Sequence, residues 1–323
     1  MAQPIEFRLI ELIRERCAIE REDVQLGIGD DASLLAVPPG QLLAVSTDTL
    51  VAGVHFPEHT SASDVGWKAL AVNLSDLASM GATPAWATLA LTLPRADATW
   101  VAGFADGFAA LAREFKLALV GGDTTRGPLS ITITVHGFVP PSSALLRRGA
   151  RVGDGIFVTG TPGDAAAGLH CLGQGTQVPA GAADRLVERL NRPTPRVAQG
   201  LLLRGRASAC IDVSDGLAAD LGHVCAASGV GAHIDIESLP ASSALLTAFD
   251  AATRVHFQLR GGDDYELCFT ASDEGASSLL EDLARSGCGA TRIGRIVSGS
   301  AVCVRDAQGN ELAPDRGGWE HFA

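Results

Sequence analysis

Strand-like and helix-like hydrophobic patterns alternate from one end of the chain to the other, and this alternation restricts the fold to a mixed α/β (α+β) class. Residues 5–16 space Ile5, Leu9, Leu12 and Ile13 along one helical face. LLAVSTDTLV (42–51) reads as a strand, and Ser61 with Asp64 predicts a capped helix through WKALAVNLSDLASM that Gly81 stops. AWATLALTL (85–93) is a predicted strand, 98–115 a helix, LALVGG (117–122) a short strand, and LSITITVHGFV (129–139) a strand with one buried face.

The punctuated stretch PPSSALLRRGARVGD (140–154) interrupts this pattern and sets the expected domains at 1–140 and 141–323. Beyond it, GIFVTG reads as a strand and GDAAAGLHCL as a helix, followed by a Gly-rich segment and a helix near 181–190. ASACIDVSDGLAADLGHVCAAS gives a strand, a turn at Val213 to Asp215, and a helix. GAHIDI, RVHFQLR, YELCFT, TRIGRI and AVCVR read as strands enclosing helices near 240–250 and 273–286. In both halves a hydrophobic strand runs into a hydroxyl residue and Asp, as STDTL and IDVSDGL, so two related α/β domains are expected.

Charge excludes some partners. With 25 Lys and Arg against 37 Asp and Glu, the formal net charge is −12, which repels nucleic-acid phosphates and bare anionic membrane. Only two lysines occur, Lys68 and Lys116, so arginine carries almost all the positive charge. The first twenty residues are charged every few positions, unlike a secretion signal, and Gly81 and Pro84 break the uncharged run from Leu77 to Pro94. The seven cysteines (17, 171, 210, 225, 268, 288 and 303) contain no CxxC and are expected as buried thiols of a cytoplasmic protein.

Aspartate recurs at predicted strand ends beside glycine or hydroxyl residues, in GIGDDAS (27–33), STDTL (46–50), NLSDLASMGA (73–82), GGDTT (121–125), IDVSDGL (211–217) and GGDDYEL (261–267). Converging carboxylates repel unless something cationic meets them. Mg²⁺ supplies that charge through one or two carboxylates, completing its shell with water and phosphate oxygens. Neighbouring glycines let backbone N–H groups approach phosphates. The pattern points to a polyphosphate site assembled from several loops. Taken singly, Asp30 and Asp31 also read as turn residues, Asp123 as a helix or turn cap, and Ser214 with Asp215 as an ordinary N-cap. Asp76 inside an apolar helix, and Asp212 ending an apolar strand, need a partner. No Walker A loop, no kinase HRD or DFG set and no complete GxGxxG is present.

Taken together and in order, EFRLIELI, GIGDDAS, STDTLVAGVHF, KALAVNLSDLASMGA, GGDTTRGPLSITITVHG, RRGARVGD, VTGTPGDAAAGL, RPTPR, IDVSDGLAADLGH, GGDDYELCF and GWEHF resemble the thiamine-monophosphate kinase family, within the superfamily of aminoimidazole ribonucleotide synthetase and selenophosphate synthetase. The resemblance implies two α/β domains, the N-terminal ones pairing across a homodimer, with ATP held between the halves. It implies several Mg²⁺ ions on Asp30, Asp48, Asp76 and Asp123, with Ser46 and Thr47 adding oxygen ligands and Asp212 and Asp215 contributed by the second domain. Gly122, Asp123, Arg147 and Ser214 match ATP-binding positions, and His55, Asp263 and Trp319 match contacts to thiamine monophosphate. An aromatic plane and an acid suit a cationic heterocycle; Trp319 also reads as a C-terminal anchor and His55 as a structural histidine. The roles of Arg126, Arg148 and Asp31 stay open, His136 and His223 are expected as packing or cap residues, and Trp67, Trp86 and Trp100 as core residues.

The implied chemistry is transfer of the ATP γ-phosphoryl group to thiamine monophosphate, giving thiamine diphosphate and ADP. The acceptor phosphate is already anionic, so neither a strong base nor a covalent nucleophile on the protein is expected. The alternatives are an aminoimidazole ribonucleotide synthetase-like enzyme and a nucleotide sensor without turnover. Cys17 lies in a helical stretch far from Lys68, unlike the reactive Cys and Lys of selenophosphate synthetases, and the chain ends in HFA without the cysteine tail of hydrogenase-maturation relatives.

Overall fold

The computed structural model describes residues 4–173, 178–306 and 308–312. The chain forms two compact units, one from Met1–Leu77 with Ala82–Ser142, the other from Ala78–Gly81 with Ser143–Ala323.

In the first unit the order is α1 (Ile5–Arg16), β1 (Val24–Leu26), β2 (Leu34–Leu35), β3 (Leu42–Val51), α2 (Ala62–Ser79), β4 (Thr83–Leu93), α3 (Ala98–Glu114), β5 (Ala118–Arg126) and β6 (Ser130–Val139). Four strands form a sheet in the order β3-β6-β4-β5, with β4 and β5 parallel and the other pairs antiparallel. Ser61 Oγ accepts from the Asp64 N–H at 3.1 Å, the expected cap of α2, and the left-handed Gly81 (φ 62°) follows its end. Val65, Ala69, Leu70 and Leu74 of α2 are buried, as are Val101, Phe104 and Phe108 of α3. A Cβ on Gly66 would collide with the Phe104 carbonyl oxygen, so only glycine permits this approach of α2 to α3. β6 alternates as its sequence predicts, burying Ile131, Ile133 and Val135. β5 departs from expectation: it continues through GGDTT to Arg126 because its pairing with β4 is unbroken from Thr88–Gly121 to Leu93–Arg126.

The second unit runs β7 (Gly155–Thr159), α4 (Asp164–Gly173), α5 (Ala180–Asn191), α6 (Val197–Leu203), β8 (Ala209–Val213), α7 (Leu217–Ser228), β9 (Gly231–Asp235), a short 3-10 turn, α8 (Ser243–Ala248), α9 (Ala251–Arg260), β10 (Glu266–Ala271), α10 (Asp273–Arg285), β11 (Ala290–Val297), β12 (Val302–Arg305) and β13 (Glu311–Leu312). Its seven-stranded sheet has the order β13-β12-β9-β11-β7-β10-β8, parallel only at β12–β9. β7, β10 and the edge strand β8 are buried along their whole lengths, which explains their largely apolar sequences and requires partners for the buried Asp212 and Glu266. One core joins Leu217, Leu221 and Val224 of α7 to the sheet, and another joins Ala167, Leu186, Leu245 and Phe257 of four helices.

The segment RVHFQLR is helix α9, not the predicted strand. Val255, Phe257 and Leu259 alternate with polar residues, but Asp250 caps the segment by accepting from the Thr253 N–H at 2.8 Å. Phe257 and Gln258 are its buried residues. The RPTPR segment has a structural use. Arg196 makes two 2.6 Å bonds to the fully buried Glu266 of GGDDYEL, and Arg189 of α5 adds a third at 2.8 Å. Breaking one partner of such a buried charge leaves the other uncompensated.

Candidate functional site

In the first unit the sheet brings together part of the expected acidic set. Ser46 is half-buried on β3, and its hydroxyl donates to Asp76 Oδ2 of α2 at 2.5 Å. Two residues along, the Asp48 N–H donates to Asn73 Oδ1 at 3.1 Å, so the same helix fixes the Asp48 backbone. Asn73 is itself buried and held by its amide donating to the Ala69 carbonyl. Thr47 is on the opposite face of β3: its hydroxyl pairs with that of Thr134 across the strands at 2.9 Å.

A second group lies at the β1–β2 loop and β5. Ser33 Oγ donates to the Val120 carbonyl at 2.5 Å and ties the GIGDDAS loop to the strand that carries Gly122 and Asp123. Asp30 is exposed and accepts from the Asp31 N–H at 2.9 Å, which gives Asp31 a local turn contact. Asp123 lies inside β5, opposite Ala90, and is exposed; it is neither a helix cap nor a turn cap. Gly122 has φ 151°. A cleft beside them is lined by Ile28, Leu89, Leu119, Gly122, Asp123 and Thr124. His55 closes the turn after β3, its Nδ1 accepting from the Val51 N–H at 3.0 Å, an arrangement that leaves the imidazole proton on Nε2.

In the second unit Asp212 is buried at the end of β8, opposite Leu267 of β10. The turn that follows carries Ser214 and Asp215, but Ser214 does not cap α7. The cap residue is Gly216, which has no side chain to cap with. The orphan amides are satisfied instead by Asp220 Oδ2, which accepts from the N–H groups of Ser214, Asp215 and Gly216 at 3.0, 3.0 and 3.2 Å. Burial raises the Asp220 carboxyl to about 7, against the opposing pull of these amides. Asp220 is a residue that motif reading passed over, although an Asp in the apolar run LAADLGHV carries the same signal that singled out Asp76. Arg147 is exposed next to Leu146, whose carbonyl accepts from the Cys210 N–H of β8 at 2.9 Å.

Asp263 is half-buried, and its N–H donates to the Ser214 carbonyl at 2.8 Å, binding the GGDDYEL loop to the Asp215 turn. Its neighbour Asp264 serves the fold. It is 1% exposed and accepts from the Gly163 and Ala165 N–H groups at 2.7 and 3.3 Å, at the start of α4. Trp319 lies outside the described residues.

The first-unit oxygens fit a magnesium requirement of a particular kind. Ser46, Asp48, Asp76, Asp30 and Asp123 are all hard donors, yet among the described residues no three predicted acids form a closed three-donor nest; the one such group is His233, Cys303 and Glu311 at the edge of the second sheet. There Arg305 already donates to Glu311 Oε1 at 3.0 Å. Dispersed carboxylates suit ions that keep water and phosphate in most of their coordination positions.

The buried partners among the other candidates behave as packing groups. Trp86 is 1% exposed, donates to Asp23 at 3.0 Å and meets Phe138 edge-on and the His136 ring at 6.2 Å. His223 is exposed on α7. Cys17, Cys210, Cys225 and Cys268 are buried and Cys171, Cys288 and Cys303 half-buried, all as free thiols. Burial pushes Cys17 up to about 12, an inert value.

The sequence profile of the AIR synthase related protein N-terminal domain matches residues 29–139, and that of the AIR synthase related protein C-terminal domain matches residues 151–306. Thiamine-monophosphate kinase of Escherichia coli K12 is 50% identical over 321 residues, 98% of both chains, and that of Salmonella typhimurium is 49% identical over the same shares. The crystal structure of thiamine-monophosphate kinase from Stenotrophomonas maltophilia superposes with a TM-score of 0.88 at 50% identity, covering 97% of this chain and 98% of that one. AaThiL complexed with AMPPCP and TMP superposes at 0.78 with 32% identity, covering 98% and 97%. The chain belongs to the AIR synthase related family and, within it, to the thiamine-monophosphate kinases. The hydrogenase maturation protein HypE, at 22% identity and a TM-score of 0.80, shares the fold.

Proposed function

We propose that the protein catalyses ATP-dependent phosphorylation of thiamine monophosphate on its phosphate group, giving thiamine diphosphate and ADP. The observation that carries this is near-complete, full-length similarity to thiamine-monophosphate kinases at about half identity, combined with hard-oxygen groups held at Ser46–Asp76, Asp48, Asp30 and Asp123. No helix among the described residues is long and apolar enough to cross a membrane.

The residue roles proposed are those that the family resemblance implies. Asp30, Asp48, Asp76 and Asp123, with Ser46 and the backbone oxygen of Thr47, whose hydroxyl turns the other way to Thr134, are the proposed first-unit ligands of Mg²⁺, and Asp212 and Asp215 the second-unit ligands. Bound magnesium supplies positive charge that neutralises the nucleotide phosphates. Ser46 orients the Asp76 carboxylate, and Asn73 fixes the Asp48 backbone. Gly122 lets the backbone approach a phosphate closely, Arg147 offers a guanidinium to one, and Ser214 offers a hydroxyl to the nucleotide. For the acceptor, His55 presents Nε2–H as a donor, while Asp263 complements the thiazolium cation; Trp319 is the proposed stacking surface. The attacking atom is an anionic phosphate oxygen, so the side chains orient two anions and remove no strongly held proton.

β3 is an edge strand of the first sheet, and Leu43 and Val45 on it are 43% and 55% exposed. An edge strand with an apolar row along it favours pairing with a second copy, so a homodimer through this unit is the proposed assembly.

The test incubates the protein with ATP and Mg²⁺ and follows ADP release with thiamine monophosphate, thiamine or formylglycinamidine ribonucleotide as acceptor. Thiamine diphosphate appears with the first only. Turnover with the ribonucleotide and none with thiamine monophosphate assigns the protein to the synthetase branch and overturns this reading.

A further inference from the structure

Tyr265 is the sole tyrosine of the chain, and its phenol donates to Asp263 Oδ1 at 3.0 Å. Both residues adopt the left-handed backbone region, Asp263 with φ 69° and Tyr265 with φ 51°. That conformation is unfavourable for residues with a Cβ, and it persists only where the surroundings over-determine it. Among the described residues just two other non-glycine positions share it, Lys116 and Ser142.

The surroundings here do over-determine it. A Cβ on Gly262 would lie 2.5 Å from the Ser214 carbonyl oxygen, so the loop is pressed against the Asp215 turn. The Asp263 N–H donates to the Ser214 carbonyl and the Tyr265 N–H to the Val213 carbonyl, each at 2.8 Å. Between them Asp264 turns inward to the amides that begin α4. Glu266 then enters the buried cluster with Arg189 and Arg196. The loop is thus pinned along its length, and the two strained side chains are joined phenol to carboxylate. A carboxylate on a short side chain takes several orientations unless a donor selects one.

We propose that Tyr265 is a positioning residue for the acceptor: its phenol fixes the orientation of the Asp263 carboxylate, and with it the enzyme's preference for an acceptor that carries a cationic heterocycle. The inference rests on the assignment of Asp263 to thiamine monophosphate. Its effect belongs to acceptor binding, because the carboxylate that the phenol holds is the one assigned to the acceptor.

The experiment compares wild type, Tyr265→Phe and Asp263→Asn in steady-state kinetics, with melting temperatures recorded for each. A second arm labels the single tyrosine with ¹³C at Cζ and titrates thiamine monophosphate into the wild-type protein. Tyr265→Phe is expected to raise KM for thiamine monophosphate roughly 10-fold, as loss of a hydrogen bond to a charged group does, with kcat and the KM for ATP unchanged. The Cζ resonance is expected to move on acceptor binding. Wild-type KM in Tyr265→Phe alongside a raised KM in Asp263→Asn overturns the role of Tyr265. Wild-type KM in Asp263→Asn removes Asp263 from the acceptor site and the inference with it. A Cζ resonance indifferent to saturating acceptor overturns the proposal even if the Phe variant fails to fold.

Discussion

The Ser46 hydroxyl donates to Asp76 Oδ2 at 2.5 Å and joins a strand to a helix thirty residues further along the chain. The bond occupies one oxygen of Asp76 and orients the other. If Asp76 is a magnesium ligand, Ser46→Ala acts on metal affinity through that orientation, while Asp76→Asn removes the charge. We expect Ser46→Ala to weaken the Mg²⁺ dependence of turnover by about 10-fold and Asp76→Asn by about 100-fold or more. Titrating Mg²⁺ at fixed ATP measures both, and normal turnover of Asp76→Asn at saturating Mg²⁺ removes Asp76 from the metal set.

Asp220 satisfies three backbone N–H groups with one oxygen. Asp220→Ala leaves them without that acceptor in a turn where Gly216 is buried and Ser214 and Asp215 are half-buried. At about 1–3 kcal/mol for a buried group left unsatisfied, and less for the two that water can reach, the variant is expected to lose roughly 2 kcal/mol or more of stability. Asp220→Asn keeps one acceptor oxygen and is expected to lose less. Urea unfolding of the two variants checks the order, and equal losses would show that the amides find other partners.

Much of this architecture was legible because local pattern and tertiary demand agree. β6 alternates in sequence and in burial, and α2 has its Ser61 cap and Gly81 stop where the residues predict. The failures have physical causes. The segment 254–260 alternates with period two, yet the Asp250 cap and the helical core around Phe257 make it a helix. GGDTT looks like a turn, but full pairing with β4 holds it as strand. Ser214 has the composition of an N-cap, while the capping is done by Asp220 from inside the helix, a relationship visible only once the turn folds back. The motif acids likewise divide by environment: Asp123 is exposed on its strand, whereas Asp264 is buried on the α4 amides and serves the fold. Sequence alone does not distinguish the two.

Buried acids also give the protein a pH signature. Desolvation raises Asp264 well above the ordinary carboxylate range and raises Asp164 as well, with the Asp164 charge reinforcing Asp264 and Arg189 opposing both. Asp164 is held by the hydroxyls of Thr161 and Ser242 at 2.6 and 2.7 Å. Because the folded values exceed the unfolded ones, the native state keeps protons that the unfolded chain releases above about pH 4. Stability attributable to these groups is therefore present at low pH and falls as pH rises, by at most about 1.4 kcal/mol per pH unit for each proton. Asp164→Asn is expected to flatten the fall when urea stability is compared between pH 5 and 8. A slope unchanged by the substitution removes Asp164 from the account.

The edge strand β3 offers the last test. Leu43 and Val45 are exposed on the same face as Thr47 and Thr49, whose hydroxyls pair with Thr134 and Thr132 at 2.9 and 2.8 Å. In each pair one hydroxyl donates to the other, so each pair keeps one hydroxyl hydrogen that a second copy covering the face would have to accept. Among the described residues no strand lies beyond β3 in the sheet, so a second copy pairing there would extend the sheet and bury the two aliphatic side chains. Val45→Asp places a carboxylate in the middle of that contact, where burial without a partner costs several kcal/mol. Wild-type protein is expected to sediment as a dimer, and Val45→Asp as a monomer with unchanged far-ultraviolet circular dichroism. A dimer of undiminished affinity in Val45→Asp places the subunit contact elsewhere.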